Sequence, residues 1–226
     1  KKKTLHVPDA PFRPGEKPDF SNLELPRAGD AKRPKVMVEP SVIRDLAFSL
    51  VRVLDDKHEA VGPWDPKLDA SVLKEGLRHM CLLRIFDDRM LTMQRQGKLS
   101  FYMKSLGEEA VAIAHGMALR PDDILFPSYR QPGLQFVRGR NIVDMICHCI
   151  TNVKDNVKGR QMPVHYSWKE GNFVSISSPV GTQFPQAVGC AMASAYKGED
   201  NVSISWVGDG TAAEGDFHYA LNFASV

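Results

Sequence analysis

The chain has 226 residues, 43% of them hydrophobic, so it is long enough to bury one core of ordinary size. Its 29 basic and 27 acidic side chains leave a net charge of only +2, which excludes the strong basic excess with which nucleic-acid-binding proteins contact phosphates. No uncharged apolar run approaches the roughly 20 residues of a membrane span. We therefore expect neither nucleic acid nor a membrane as a partner.

Cysteine usage and the first residues indicate the compartment. The four cysteines lie in apolar, helix-like sequence without zinc-type spacing, namely Cys81, Cys147, Cys149 and Cys190. His148 separates two of them, but neighbouring side chains on a helix point in different directions, which argues against a shared metal ion. The N-terminal lysines precede prolines rather than a signal-peptide core. We expect reduced thiols and a protein of the bacterial cytoplasm or, after removal of a transit peptide, of the mitochondrial matrix.

The first part of the chain differs from the rest in composition. Residues 1–40 contain many prolines and scattered charges with almost no apolar periodicity. This composition predicts an extended arm, followed by a domain over residues 41–226. Such an arm becomes ordered when it wraps a partner subunit that supplies apolar surface, and a floppy terminus is the alternative.

Two helices follow in the sequence. Apolar residues recur at helical spacing over residues 71–96, and Gly97 ends the run. A second helix is predicted over residues 108–119, with Glu108 and Glu109 in its first turn, where they complement the helix dipole.

Strands and helices then alternate, which predicts an α/β fold: a largely parallel sheet flanked by helices. Strands are expected at residues 123–126, 172–177 and 202–207, and helices at residues 142–151 and 186–196. Ligands of such folds bind beyond the carboxyl ends of the strands. The loops at Tyr129, Ser178 and Asp209 meet that criterion.

The segment after the last predicted strand is the most specific motif. Gly208 and Gly210 flank Asp209, and glycines allow the backbone to approach phosphate oxygens while a carboxylate supplies a hard ligand for Mg²⁺. A new helix is expected here, with Thr211 helping to cap it and Glu214 in its first turn. A purely structural turn is the alternative.

Three other features could contact a ligand. Arg130, beside Tyr129, can grip a diphosphate through its forked guanidinium, or it can simply stack on the tyrosine at the surface. His165 lies in a predicted loop, where it is a candidate catalytic or cofactor-contacting group or a hydrogen-bond partner that fixes the loop. Residues 177–183 are rich in hard oxygens. They can orient the polar edge of a ligand through backbone groups or surround a monovalent cation, although an ordinary turn would look the same.

Together these segments resemble the alpha chain of the thiamine-diphosphate-dependent decarboxylase component of branched-chain 2-oxoacid dehydrogenase complexes. The resemblance runs from about residue 50 to residue 226. It includes the motifs Gly-Arg-Gln-Met-Pro-Val-His at residues 159–165, Ser-Ser-Pro at residues 177–179 and Gly-Asp-Gly at residues 208–210. Pyruvate-specific relatives have a glycine-rich sequence in place of the first motif.

The resemblance implies a role for each matching residue. Asp209 would bind Mg²⁺, and the backbone of Gly208, Gly210 and Thr211 would approach the diphosphate. Tyr129 and Arg130 would contact the phosphates. Ser178 and Val180 would hold the aminopyrimidine side of thiamine diphosphate through backbone groups, and the Val180 side chain would support the bent cofactor. A potassium loop would comprise Ser177, Pro179, Thr182 and Gln183. Phe101 would line the pocket for a branched side chain.

The implied reaction is decarboxylation of a branched-chain 2-oxoacid and transfer of the acyl group to a lipoyl group on the acyltransferase core. The family's activating glutamate belongs to a beta subunit, so the active site would form within an alpha2-beta2 heterotetramer. The resemblance places a second Mg²⁺ ligand beyond Val226, so we expect either a chain truncated at its C-terminus or one that does not hold Mg²⁺ as the family does. The alternatives are a pyruvate-type component, a non-catalytic interaction fragment, and a phosphoryl-transfer enzyme with Asp209 as nucleophile, although no Walker-type lysine loop is present.

Overall fold

The computed structural model describes residues 13, 15–19, 25–48 and 50–226, which form two compact units divided after Leu68. Part of the predicted arm, at residues 1–12, 14 and 20–24, therefore lies outside the described residues. Among the described residues, no helix is long and apolar enough to cross a membrane.

The N-terminal unit contains little regular structure in its described part. Helix α1 (Pro40–Ile43) continues into a 3-10 helix (Arg44–Phe48), and a single antiparallel bridge joins Leu54 to Ala60. Gly29 and Gly62 both have positive φ, and a Cβ added to Gly62 would lie 2.3 Å from the Cα of Gly29. Glycine is therefore required where these two backbone segments cross.

The second unit begins with the long helix α2 (Ala70–Arg95), which confirms the predicted helix over residues 71–96. Its 26 residues give a length of about 39 Å. The Asp69 side chain caps the helix by accepting a hydrogen bond from the amide of Ser71 at 2.7 Å, and Gly97 follows its end with a φ of 72°. The buried face of α2 carries Leu83, Phe86, Asp87 and Met90.

Helix α3 (Glu109–Ala118) confirms the second predicted helix, and strand β1 (Ile124–Phe126) follows. The loop that carries Tyr129 follows β1 and ends at helix α4 (Gly133–Val137), which the sequence pattern did not predict. A Cβ at Gly133 would lie 3.0 Å from Ile113 and Leu83 side-chain atoms, so tertiary packing places this short helix against α2 and α3. Helix α5 (Ile142–Cys149) was predicted and is capped by Asn141.

The predicted strand at residues 172–177 is wrong, because the described chain contains only one bridging residue there. Phe173 pairs in parallel with Leu125 and antiparallel with Trp168. Asn172 adopts a left-handed conformation with a φ of 50°, and the amide of Ile176 then donates to the carbonyl of Tyr166 at 3.1 Å. The segment therefore turns back on its own loop instead of continuing along β1.

Helix α6 (Gln183–Lys197) starts three residues earlier than the predicted residue 186 and ends at Gly198 in a left-handed conformation. Strand β2 (Ser203–Ser205) pairs in parallel with β1, from Ile124 opposite Ser203 to Phe126 opposite Ser205. Helix α6 packs against both strands. The described residues thus form a small parallel sheet flanked by helices.

Beyond β2 the chain forms two short helices instead of one. Helix α7 (Asp209–Ala212) begins at Asp209 itself, with Gly208 in the capping position, and helix α8 (Gly215–Ala224) follows with Glu214 in the capping position. Neither helix has a side-chain cap. The predicted capping by Thr211 is therefore wrong, because that residue lies inside α7.

The core lies between α2, α4, α5 and the sheet, and α5 contributes two thiols to it. Cys147 and Cys149 are buried and all four cysteines are free. The ring of His148 contacts the Asp155 carboxylate at 3.2 Å through Nδ1 and the Met162 carbonyl at 3.1 Å through Nε2. Burial raises the pKa of the Cys149 thiol to about 11.

Thiol reactivity should follow this burial. In the native protein at pH 8, we expect iodoacetamide to label the exposed Cys81, while Cys149 stays unmodified because its thiol is both inaccessible and protonated. After unfolding in urea, mass spectrometry should find both modified. Labelling of native Cys149 at the rate of Cys81 would contradict the described core.

Candidate active site

A cleft of about 760 Å³ opens at the carboxyl ends of β1 and β2. Its walls include three loops that carry the residues singled out from the sequence: residues 128–131 after β1, residues 177–180 before α6, and residues 207–211 after β2. The loops after β1 and β2 meet there because parallel strands present their carboxyl ends at one edge of the sheet, and the remaining loop follows Phe173, which pairs in parallel with Leu125. The cleft volume is within the usual range for small-molecule sites.

Most of the predicted site residues line this cleft. They are Tyr129, Arg130, Ser177, Ser178, Pro179, Val180, Gln183, Gly208, Asp209, Gly210 and Thr211. The other three lie outside its lining. Thr182 continues the loop at its wall, His165 is buried and bonded to Ser178, and Phe101 packs against the hydrophobic core.

Asp209 stands at the start of α7 with an exposed side chain, and the residues around it leave space for a ligand. A Cβ at Gly210 would meet no atom within 4 Å, and one at Gly208 would meet only the Thr211 hydroxyl at 3.9 Å. Local packing therefore does not require these glycines. Their effect is to leave backbone accessible at the floor of the cleft beside a carboxylate.

The guanidinium of Arg130 is held at the cleft wall by several contacts. Its Nη1 donates to the Lys104 carbonyl at 2.8 Å, its Nε lies 3.8 Å from a Glu108 carboxylate oxygen, and its carbon Cζ lies 5.8 Å from the centroid of the Tyr129 ring. The predicted surface stacking is thus present, but the side chain also lines the cleft. A guanidinium has five N–H donors, more than these contacts occupy.

Two cleft residues were missed as site residues. Glu108 was assigned only to the first turn of a helix, but it is the N-terminal flanking residue of α3 and contacts Arg130. Gln131 is buried, and its side-chain oxygen accepts bonds from the Ser128 amide at 2.9 Å and hydroxyl at 2.8 Å. Its position in the loop that follows the buried strand β1, next to Arg130, was the signal that could have identified Gln131.

Oxygen atoms converge in the loop before α6. The Thr182 hydroxyl donates to the Pro179 carbonyl at 2.8 Å, and the Ser177 hydroxyl lies 3.5 Å from that of Thr182. The buried side chain of Gln183 donates to the Trp206 carbonyl at 3.0 Å, which ties α6 to the end of β2. These oxygens suit a monovalent cation, but the same bonds stabilise the turn by themselves.

Among the residues that the structure describes, no group of three or more His, Cys, Asp or Glu side chains is arranged to hold a metal ion. Both ring nitrogens of His165 have partners: Nδ1 lies 3.2 Å from the Pro163 carbonyl and Nε2 lies 2.8 Å from the Ser178 hydroxyl. This geometry favours the loop-fixing alternative for His165.

The fold is that of an α/β protein with a cleft at the strand ends of a parallel sheet. Residues 77–226 match the family described as the dehydrogenase E1 component, and residues 2–41 match the family described as the 2-oxoisovalerate dehydrogenase E1 alpha subunit N terminal. The chain belongs to the dehydrogenase E1 component family. Membership implies dependence on thiamine diphosphate.

Curated relatives agree with this assignment. The chain is 56% identical over 222 residues to the 2-oxoisovalerate dehydrogenase subunit alpha of Pseudomonas aeruginosa, covering 98% of this chain and 54% of that protein. It is 44% identical over 162 residues to the mitochondrial counterpart of Dictyostelium discoideum (72% and 37%) and 39% identical over 190 residues to that of Homo sapiens (84% and 42%). The chain thus spans about half the length of these relatives or less.

Proposed function

We propose that this chain supplies the diphosphate-binding half of a thiamine-diphosphate site in a branched-chain 2-oxoacid dehydrogenase. The enzyme would decarboxylate the oxoacid and transfer the acyl group to the lipoyl group of an acyltransferase core. It would act as an alpha2-beta2 heterotetramer. The observation that carries the proposal is the cleft in which Arg130, Ser178 and Asp209 meet at the strand ends.

The donor set of the cleft fits the cofactor. Asp209 would supply a hard oxygen to Mg²⁺, and the open backbone at Gly208 and Gly210 would approach the diphosphate together with Thr211. Tyr129 and Arg130 would bind the phosphates. On the other wall, Ser178 and Val180 would hold the aminopyrimidine, with a potassium ion in the loop of Ser177, Pro179, Thr182 and Gln183 stabilising that wall.

When bound, thiamine diphosphate supplies the electron sink for the loss of carbon dioxide. The residues of this chain bind and orient it. Arg130 neutralises the diphosphate and is itself fixed by the Lys104 carbonyl, while Glu108 balances its charge when the phosphates are absent. Gln131 fixes the loop that carries Arg130, so the guanidinium is ordered before the ligand arrives.

The substrate and the partners are proposed from the relatives' names and the family resemblance. The relatives are named for 2-oxoisovalerate, a branched-chain 2-oxoacid. No residue of this chain is assigned a proton transfer, because the activating glutamate is expected on the beta subunit. Val180 offers an apolar surface in the cleft. Phe101 lies outside the cleft lining, so it would line a branched-chain pocket only where that pocket extends beyond the cleft.

Calorimetric titration tests the cofactor proposal. The full-length alpha chain, assembled with its beta subunit, should bind thiamine diphosphate only in the presence of Mg²⁺. Thiamine without the diphosphate serves as the control, and it should bind far more weakly because it cannot contact Arg130 or the metal. Failure of the assembled protein to bind thiamine diphosphate would favour a non-catalytic role.

A panel of 2-oxoacids tests the substrate proposal. We expect 3-methyl-2-oxobutanoate to give a kcat/KM at least about tenfold above that of pyruvate, because two buried methyl groups contribute roughly 1.5 kcal/mol or more to binding in an apolar pocket. Release of carbon dioxide by the assembled enzyme is the measurement. A higher kcat/KM with pyruvate would show that the enzyme is of the pyruvate type.

A further inference from the structure

The histidine behind the cleft wall determines how a cleft-lining serine can bond to a ligand. His165 is only 5% exposed, and its ring lies between the Pro163 carbonyl and the Ser178 hydroxyl. Its centroid is also 6.3 Å from that of the Tyr129 ring. One buried side chain therefore contacts residues from two walls of the proposed cofactor site.

The partners of His165 assign its tautomer. A carbonyl oxygen can only accept a hydrogen bond, so Nδ1, which lies 3.2 Å from the Pro163 carbonyl oxygen, carries the proton. In a neutral imidazole, Nε2 is then an acceptor. The Ser178 hydroxyl, 2.8 Å away, must therefore donate its only proton to Nε2.

This donation restricts what Ser178 can offer to a ligand. With its proton directed at His165, the hydroxyl retains only lone pairs, so toward the cleft it is a hydrogen-bond acceptor. We infer that His165 is a positioning residue that holds Ser178 as an acceptor, so that the cleft selects a heterocycle with an amino group at this point. The inference rests on the proposed function and deepens it, because the pyrimidine of thiamine diphosphate carries such an amino group.

The consequence is a preference between two ligands of almost the same shape. An analogue of thiamine diphosphate with a carbonyl oxygen in place of the 4-amino group presents an acceptor to the Ser178 acceptor, so one hydrogen bond is lost and two lone pairs oppose each other. In the wild-type protein, the amino compound should bind more tightly than the oxo analogue. The part of this preference that depends on His165 is expected to be about tenfold, equivalent to about 1.4 kcal/mol.

The experiment measures both dissociation constants by calorimetry with Mg²⁺, using the full-length alpha chain assembled with its beta subunit. In His165→Phe the serine proton is released and can donate to the oxo analogue, so the preference should fall about tenfold. Ser178→Ala should lower it similarly, and the double variant should show no further loss. Ser175→Ala is the matched control, because it removes an exposed hydroxyl that bonds to Ser167 at 2.8 Å, and it should keep the wild-type preference.

The outcomes separate this inference from the proposed function. If His165→Phe weakens both ligands equally and leaves the preference intact, His165 is only structural and the inference is overturned while cofactor binding stands. A wild-type protein that binds neither compound overturns the proposed function and the inference with it. Melting temperatures of all variants, measured on the same assemblies, should stay within a few degrees of the wild type. If the preference is lost only in a variant that has unfolded, that result also counts against the inference.

Discussion

Replacing Asp209 by asparagine should weaken Mg²⁺-dependent binding of thiamine diphosphate at least about 100-fold. The substitution keeps the size of the side chain but removes the charge that would attract the metal, beside the backbone that Gly208 and Gly210 leave open. Loss of the metal contact and of the phosphate contacts that the metal bridges costs about 3 kcal/mol, which corresponds to that factor. Calorimetry of the assembled alpha and beta subunits, with and without Mg²⁺, gives the measurement.

Asp144→Asn is the matched control, because Asp144 is also an exposed aspartate in the first turn of a helix but does not line the cleft. It should change the dissociation constant by no more than about twofold. If both variants bind like the wild type, Asp209 does not carry the metal. If Asp209→Asn binds normally but no longer turns over, the residue acts in chemistry instead, as a nucleophile would.

Features set by short-range sequence were predictable. The helix over residues 71–96 was correct to within one residue because periodicity, capping by Asp69 and the terminal Gly97 all favour the same bounds. The Gly208 to Gly210 segment was noticeable because a glycine-flanked carboxylate follows an apolar strand, although turns favour the same residues. The segment and Arg130 line the same cleft, and this position favours a ligand-binding role over an ordinary turn.

Features set by long-range contacts were not predictable. The strand expected at residues 172–177 has suitable residues, but the amide of Ile176 bonds to Tyr166, which no local pattern reveals. The sequence indicated Glu108 only as a residue that complements a helix dipole, because its proximity to Arg130 depends on the fold. Conversely, Thr211 was expected to cap a helix because hydroxyls favour that position, yet the helix starts at Asp209.

The sequence of the long helix also carries the signal of a buried carboxylate. The apolar stripe of α2 includes position 87, between Leu83 and Met90, and this position holds an aspartate. Asp87 is fully buried, and it accepts bonds from the Tyr102 hydroxyl at 2.6 Å, the Ser105 amide at 2.8 Å and the Ser105 hydroxyl at 2.8 Å. A charged residue on a buried stripe indicates a carboxylate that is fully hydrogen-bonded.

This carboxylate connects the core to the candidate site. The segment that it holds, residues 102–105, includes Lys104, whose carbonyl accepts the bond from Arg130. Burial of Tyr102, with the Asp87 charge beside it, raises the pKa of the tyrosine, so the phenol remains a donor at all physiological pH values. Loss of Asp87 should therefore affect both stability and the position of the phosphate-binding arginine.

Replacing Asp87 by alanine should destabilise the protein by at least about 3 kcal/mol, because three buried donors lose their acceptor and each such loss costs about 1 to 3 kcal/mol. Chemical denaturation followed by circular dichroism gives the measurement. The neighbouring Asp88→Ala is the control: Asp88 pairs with Lys104 at the surface with its side chain 60% exposed, so its loss should cost no more than about 1 kcal/mol.

Equal effects of the two substitutions would show that the buried hydrogen bonds of Asp87 do not contribute as described. A large effect for Asp87→Ala alone, with weaker binding of thiamine diphosphate in the surviving folded protein, would confirm that α2 positions Arg130 through this one carboxylate.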